Sequence, residues 1–128
     1  MTKKKTVLMI EDDELLAKMY GLKLEMAGYD VLLAHNARDA QAIAQANTPD
    51  VVLLDILLPK VNGLTVLKDL RKSPKTMHCP VIILTNLTGS EVDMDEEVAD
   101  ALGVVAYLVK SKVTPERVLR EVAAAVGK

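Results

Sequence analysis

An α/β fold built on one doubly wound, five-stranded parallel sheet with five helices is predicted by three features of this 128-residue chain. Short apolar runs rich in β-branched residues and Leu alternate with longer segments of helical spacing, the pattern of a parallel sheet covered on both faces. Helix start and stop residues fall between these runs. Several runs also end in polar or charged residues, and in open sheets of this kind ligands bind outside the carboxyl ends of the strands.

The first run, about Thr6 to Ile10, is strand 1. The helix after it has apolar residues at Leu15, Leu16, Met19, Leu22 and Met26, and Gly28 is placed to end it. Strand 2 covers about Asp30 to Ala34. Asn36 then serves as a helix N-cap, Ala37, Ala40, Ile43 and Ala44 form a narrow apolar stripe, and Pro49 blocks continuation. Strand 3 is Val51 to Leu54. The loop behind it holds Pro59, Asn62 and Gly63 and leads to a helix from about Thr65 to Arg71. Pro80 opens strand 4, Val81 to Leu84, where a missing N–H costs no ladder bond. A fourth helix is expected from about Glu91 to Leu102, its start obscured by Thr88-Gly89-Ser90, and strand 5 from about Ala106 to Val109. The fifth helix has the clearest start, with Thr114 as N-cap, Pro115 at the first helical position and Glu116 beside it. Val118, Leu119, Val122, Ala123 and Val126 form its buried side. Met9, Met19 and Met26 fit the core faces of their elements and need no cofactor.

The length suits a single domain over residues 1–128, long enough to bury its own core. Half the residues are apolar and 27% are charged, with no Phe or Trp, so the core is aliphatic. A net charge of −2 gives no general attraction to nucleic acid or to anionic membranes. Between Lys75 and Lys110 no Lys or Arg occurs, while Glu91, Asp93, Asp95, Glu96, Glu97 and Asp100 crowd one stretch. Cys79 is alone, which excludes an intramolecular disulfide and fits a cytoplasmic thiol. Lys3-Lys4-Lys5 precede an apolar run too short for a signal peptide or a membrane span, and they are taken as a solvated arm. His35 and His78 have no ligand-like neighbours in sequence and are taken as structural.

The strand ends carry the chemistry. Glu11 and Asp12 follow strand 1, Asp55 follows strand 3, Thr85 follows strand 4 and Lys110 follows strand 5. Taken singly, an Asp after a strand is a turn residue or a cap, a Thr is strand filler and a Lys is solvated. Their joint placement at one edge is what points to a site. Three carboxylates crowded together raise at least one pKa and cost stability unless a cation answers them. Magnesium suits the set, because it accepts one or two carboxylates, keeps waters and completes its shell with phosphate oxygens. The acids also lack the His or Cys partners that zinc favours. Asp55 could then attack phosphorus and form an aspartyl phosphate, with Lys110 and Thr85 each contacting a phosphoryl oxygen.

Met9-Ile10-Glu11-Asp12-Asp13, Val52-Leu53-Leu54-Asp55 with Pro59 and Gly63 behind it, Val81-Ile82-Ile83-Leu84-Thr85 and Tyr107-Leu108-Val109-Lys110 occur in order along nearly the whole chain. In these segments the sequence resembles the receiver domain of two-component response regulators. The resemblance implies the flavodoxin-like strand order 2-1-3-4-5. It also implies transfer of a phosphoryl group to Asp55 from a phosphohistidine on a histidine kinase or histidine phosphotransfer protein. Position by position, it gives Glu11, Asp12 and Asp55 to Mg2+ together with the backbone carbonyl of Leu57, and makes Thr85 and Tyr107 the switch pair. Output would pass to a protein partner through the fourth helix, fifth strand and fifth helix. The chain would then be a cytoplasmic phosphoacceptor switch, not an enzyme acting on other molecules, and would bind neither nucleic acid nor membrane.

Three positions depart from the family pattern. Asn86 stands where a small Ala or Ser is more frequent, which bears on the room for movement of Thr85 and Tyr107. Ser111 replaces a frequent Pro, and because a cis bond before a non-proline residue costs about 2.5–4 kcal/mol, a trans Lys110–Ser111 bond is expected. Asp13 extends the acidic group as a further pocket acid or as a helix cap. Leu57 and Leu87 occupy the positions two after the acceptor and two after the Thr, where neither can orient an attacking water, so a long-lived phosphorylated state is expected. Competing readings are weaker. A phosphatase of the haloacid dehalogenase type needs a second Asp where Leu57 stands, and a flavodoxin-like electron carrier needs a hydroxyl-rich loop where Glu11 and Asp12 would repel the flavin phosphate. A receiver-like interaction module that is never phosphorylated would not need the complete residue set.

Overall fold

A computed structural model describes residues 3–86 and 100–127. Five strands, β1 (Thr6–Ile10), β2 (Asp30–Ala34), β3 (Val51–Leu54), β4 (Val81–Thr85) and β5 (Ala106–Val109), pair in the order β2-β1-β3-β4-β5, and every pairing is parallel. The helices among the described residues are α1 (Glu14–Met26), α2 (Ala37–Asn47), α3 (Gly63–Lys72) and α4 (Pro115–Ala125). Asp100 and Ala101 are helical, and the remainder of the expected fourth helix, with Leu87 and most of the acidic stretch, lies outside the described residues. No helix among the described residues is long and apolar enough to cross a membrane.

Strand alternation divides the core into two layers. Leu8, Ile10, Val52, Leu54, Val81 and Ile83 pack with Ala40 and Ala44 of α2 and with Leu64, Leu67 and Leu70 of α3. On the opposite face Val7, Met9, Val51, Leu53, Ile82 and Leu84 pack with Tyr20 and Leu24 of α1 and with Val118 and Val122 of α4. The caps are those expected. Asn36 accepts the Asp39 amide at the start of α2, and Thr114 accepts the Arg117 amide at the start of α4. Gly28 adopts a φ of +99° just past α1. Two boundaries move outward from the sequence reading. Asn62 accepts the Leu64 amide at 2.7 Å and starts α3 at Gly63, ahead of Thr65, while Thr85 remains paired with Val109 as the last residue of β4.

The buried face of α1 is a correction. Leu15, Leu22 and Met26 are exposed, Met26 at 87%, whereas Ala17, Tyr20, Gly21 and Leu24 are buried. Leu16 and Met19 only flank that face. Both sets recur at helical spacing, and hydropathy favoured the wrong one because Ala, Gly and Tyr carry little of it. A Cβ at Gly21 would stand 3.8 Å from the Leu33 side chain, an ordinary van der Waals distance, so this glycine faces β2 without being required there. Cys79 is buried, its thiol donates to the Pro49 carbonyl, and burial pushes its pKa up to about 11. His78 is exposed.

The corrected face gives a direct test by chemical denaturation. Leu24→Ala is expected to cost about 2–5 kcal/mol, as for other buried Leu truncations. Leu22→Ala and Met26→Ala should stay within about 0.5 kcal/mol, as exposed substitutions do. A larger loss at Met26 than at Leu24 would restore the sequence-based face.

Candidate functional site

Parallel pairing brings the polar strand ends together. Glu11 immediately follows β1 and its amide donates to the Ala34 carbonyl, while Asp55 follows β3 and its amide donates to the Ile10 carbonyl at 3.1 Å. Lys110 follows β5 and its amide donates to the Thr85 carbonyl at 2.8 Å. Backbone ladders therefore set the spacing of these side chains. Glu11 is 1% exposed, Asp55 4% and Thr85 fully buried, whereas Asp12 is open to solvent.

The Lys110 ammonium joins the two buried acids. Its Nζ lies 2.7 Å from Asp55 Oδ2 and forms an ion pair with Glu11 Oε1. Asp55 Oδ1 accepts the Leu57 amide at 3.0 Å, and Glu11 Oε2 accepts the Asp13 amide at 3.1 Å. Burial raises the Glu11 pKa and the Asp55 charge adds to that rise, against the lowering effects of Lys110 and the Asp13 amide. Burial alone would lower the Lys110 pKa, but its bonds to Asp55 and Glu11 outweigh burial and raise it.

The loop behind Asp55 is shaped by Gly63. A Cβ at that residue would lie 2.3 Å from the Asp55 carbonyl oxygen and 2.7 Å from Ile56 Cα, so α3 begins directly against the Asp55–Ile56 backbone. The Gly63 amide donates to the Ile56 carbonyl at 2.7 Å, and Leu57 bridges Asn62. On the other side His35 Nδ1 lies 3.0 Å from the Glu11 carbonyl oxygen, which can only accept, so that nitrogen carries the proton. His35 thus has the structural role expected of it.

Carboxylate oxygens from Glu11, Asp12 and Asp55 all lie within 4.8 Å of one another. An all-oxygen donor set with two of its acids buried fits a hard divalent cation such as Mg2+. Asp13 accepts the Leu16 amide as the N-cap of α1, which decides between its two possible roles in favour of the cap. Tyr107, paired in register with Ile83, is partly buried against the core layer that contains Leu54. The Lys110–Ser111 bond is trans. A contact between two of the departing residues escaped the sequence reading: the Ser111 amide donates to Asn86 Oδ1 at 3.0 Å. Both residues stood out as departures, but nothing in their spacing of 25 positions showed that they meet.

Residues 7–123 match the family described as the response regulator receiver domain. The chain is 43% identical over 81 residues to the DNA-binding dual master transcriptional regulator RpaA of Synechocystis, covering 63% of this chain and 34% of that protein. The match thus spans about a third of RpaA. It is 36% identical over 106 residues to the polar-differentiation response regulator DivK of Brucella anthropi, covering 83% and 84% of the two chains. Among solved structures, the chemotaxis protein CheY4 of Vibrio cholerae superposes with a TM-score of 0.86 at 28% identity, covering 96% of this chain and 99% of that one.

Lys110 neutralises part of the acidic cluster, so its removal has a signed consequence. Lys110→Met should bind Mg2+ roughly tenfold or more tightly, because a like charge beside the cation is gone. In the absence of Mg2+ the variant should melt lower than wild type at pH 7, where its buried acids are left unpaired. Glu11 already has a raised pKa in the folded state, so the deficit should shrink as pH falls toward its ordinary value of 4.5 and the folded form takes up the proton first. Magnesium titrations followed by amide NMR and melts followed by circular dichroism check these points. Unchanged or weaker Mg2+ affinity would contradict them.

Proposed function

Because this chain belongs to the response regulator receiver domain family, we propose that Asp55 is its phosphoryl acceptor, charged by a histidine kinase or a histidine phosphotransfer protein. The observation that carries this reading is the Asp55 carboxylate itself. It is nearly buried at the carboxyl edge, held by the Leu57 amide on one oxygen and the Lys110 ammonium on the other, with Glu11 and Asp12 alongside.

An Asp55 oxygen attacks phosphorus as the P–N bond of the phosphohistidine breaks, and the released imidazole takes a proton from solvent. Glu11, Asp12, Asp55 and the Leu57 carbonyl would hold Mg2+, which supplies charge neutralisation for the acids and the incoming phosphoryl oxygens. Lys110 exchanges its bond to the carboxylate for one to a phosphoryl oxygen. Thr85 donates its hydroxyl to another. Tyr107 then moves with Thr85, so that a local change of charge biases an element with two arrangements.

Residues 1–128 are taken as one receiver domain, a cytoplasmic switch that catalyses only its own phosphorylation and dephosphorylation. Output would leave through the 91–102 segment, β5 and α4 to a protein partner. The acidic stretch from Glu91 to Asp100 favours a basic docking surface on that partner and no nucleic acid on this face. RpaA is named as DNA-binding over its full length, of which this chain matches about a third.

Three outcomes test the reading. Asp55→Asn should abolish labelling by acetyl phosphate with Mg2+ while keeping the circular dichroism spectrum, and stoichiometric labelling of that variant at any site would remove Asp55 from its role. Leu57, half-exposed beside the acceptor, and Leu87 are expected to deny an attacking water both orientation and access. A rise of about 1.4 kcal/mol in that barrier slows decay about tenfold. First-order phosphate loss should therefore be slow in wild type and faster in Leu57→Asn with Leu87→Glu, whereas decay within seconds or an unchanged rate would show that these leucines do not shield the site. Partner binding should weaken as salt rises. Salt-independent binding, or a footprint on another face, would count against the proposed output surface.

A further inference from the structure

The loop that follows Lys110 is held by backbone bonds, by the packing of Val113 and by one side-chain acceptor. After Lys110 the chain turns back on itself, with the amides of Lys112 and Val113 both donating to the Val109 carbonyl at 2.9 and 3.1 Å. Ser111 and Lys112 are exposed, so burial anchors the turn only from Val113, which packs partly buried against the core. The Ser111 amide points instead across to the end of β4, where Asn86 Oδ1 accepts it at 3.0 Å. Consecutive amides at 110 and 111 thus bond to consecutive residues, Thr85 through its carbonyl and Asn86 through its side chain. The Ser111 amide lies beyond the β4–β5 ladder, and a side chain takes it up.

We propose that Asn86 is a positioning residue for Lys110, acting through the Ser111 amide, and that Asn86 and Ser111 form one linked requirement. Each half of the pair explains the other. A proline at 111 has no N–H to donate, and an alanine at 86 has no acceptor. An Asp at 86 would accept the bond but would add a negative charge near a pocket that already holds three carboxylates. Asn supplies the acceptor without the charge. The ammonium reached by this loop is the one that bridges Asp55 and Glu11, so slack at Ser111 passes directly to the Lys110 contacts.

For catalysis the proposal rests on the reading that Lys110 contacts the phosphoryl group on Asp55, and the test separates the two. Labelling by acetyl phosphate with Mg2+ is followed by intact mass in wild type, Asn86→Ala, Lys110→Ala and the double variant, together with hydrogen exchange of the Ser111 amide. Asn86→Ala should lower the saturated rate about fivefold, the order expected for one hydrogen bond, with little change in the half-saturating donor concentration. The same change in the Lys110→Ala background should have no further effect, because a positioning residue needs the group it positions. Ser111 exchange should accelerate in Asn86→Ala and Ser111 should be protected again in Asn86→Asp, which keeps the acceptor. Equal rate losses in both backgrounds, or an unchanged rate in Asn86→Ala, would overturn the proposal. If wild type takes up no label, the acceptor reading falls and the Lys110 ε-carbon resonance decides the positioning claim. Asn86→Ala displaces that resonance if Asn86 positions the ammonium, and leaves it unmoved if it does not.

Discussion

Two carboxylates buried at the ends of adjacent parallel strands impose the constraint on which the rest of this structure depends. Glu11 and Asp55 are almost wholly removed from solvent, and ionised acids so placed are costly unless they are paired and hydrogen-bonded. Lys110 reaches both from the end of β5, and the amides of Asp13 and Leu57 take up the remaining oxygens. The cluster is thereby made tolerable, but the three carboxylates still outnumber the Lys110 ammonium that bridges two of them. Such an arrangement is receptive to a further cation and, once that is bound, to an anion between the cations. In the proposed reaction, a phosphoryl group on Asp55 would answer that electrostatic demand better than a neutral ligand.

The fold is the device that maintains the constraint. Parallel pairing carries Ile10 and Leu54 into register, so that the next residue on each strand is an acid, and the Thr85 carbonyl fixes the amide of Lys110. Gly63 lets α3 begin in contact with the Asp55 backbone, which no side chain larger than hydrogen would permit without displacement. In the proposed switch, movement at Thr85 and Lys110 would be felt together, because their backbones are bonded and the residues after them are joined by Asn86 and Ser111.

Much of this was legible in the sequence. β1, β3 and β4, buried on both faces, announce themselves as nearly uninterrupted apolar runs that end at the sheet's carboxyl edge, which brings Glu11, Asp55 and Thr85 together, and the shorter, partly buried run of β5 adds Lys110. The buried face of α1 was not legible, because Ala17, Tyr20 and Gly21 carry little hydropathy while the exposed Leu15, Leu22 and Met26 carry most of it. The start of α3 was hidden for a related reason, since Asn62-Gly63 reads equally as a turn and as a cap. Contacts between loops distant in sequence, His35 with the Glu11 carbonyl and Asn86 with the Ser111 amide, follow from tertiary placement and leave no local signal.

The central claim, that Asp55 is the point at which a phosphoryl group, a divalent cation and Lys110 meet, is tested most directly by titrating the wild-type chain with beryllium fluoride in the presence of Mg2+ and recording amide shifts. Saturable one-to-one shifts at Asp55, Thr85, Tyr107 and Lys110 that require Mg2+ are the predicted result. Shifts that arise without Mg2+, that centre elsewhere, or that are absent at saturating beryllium fluoride would contradict it.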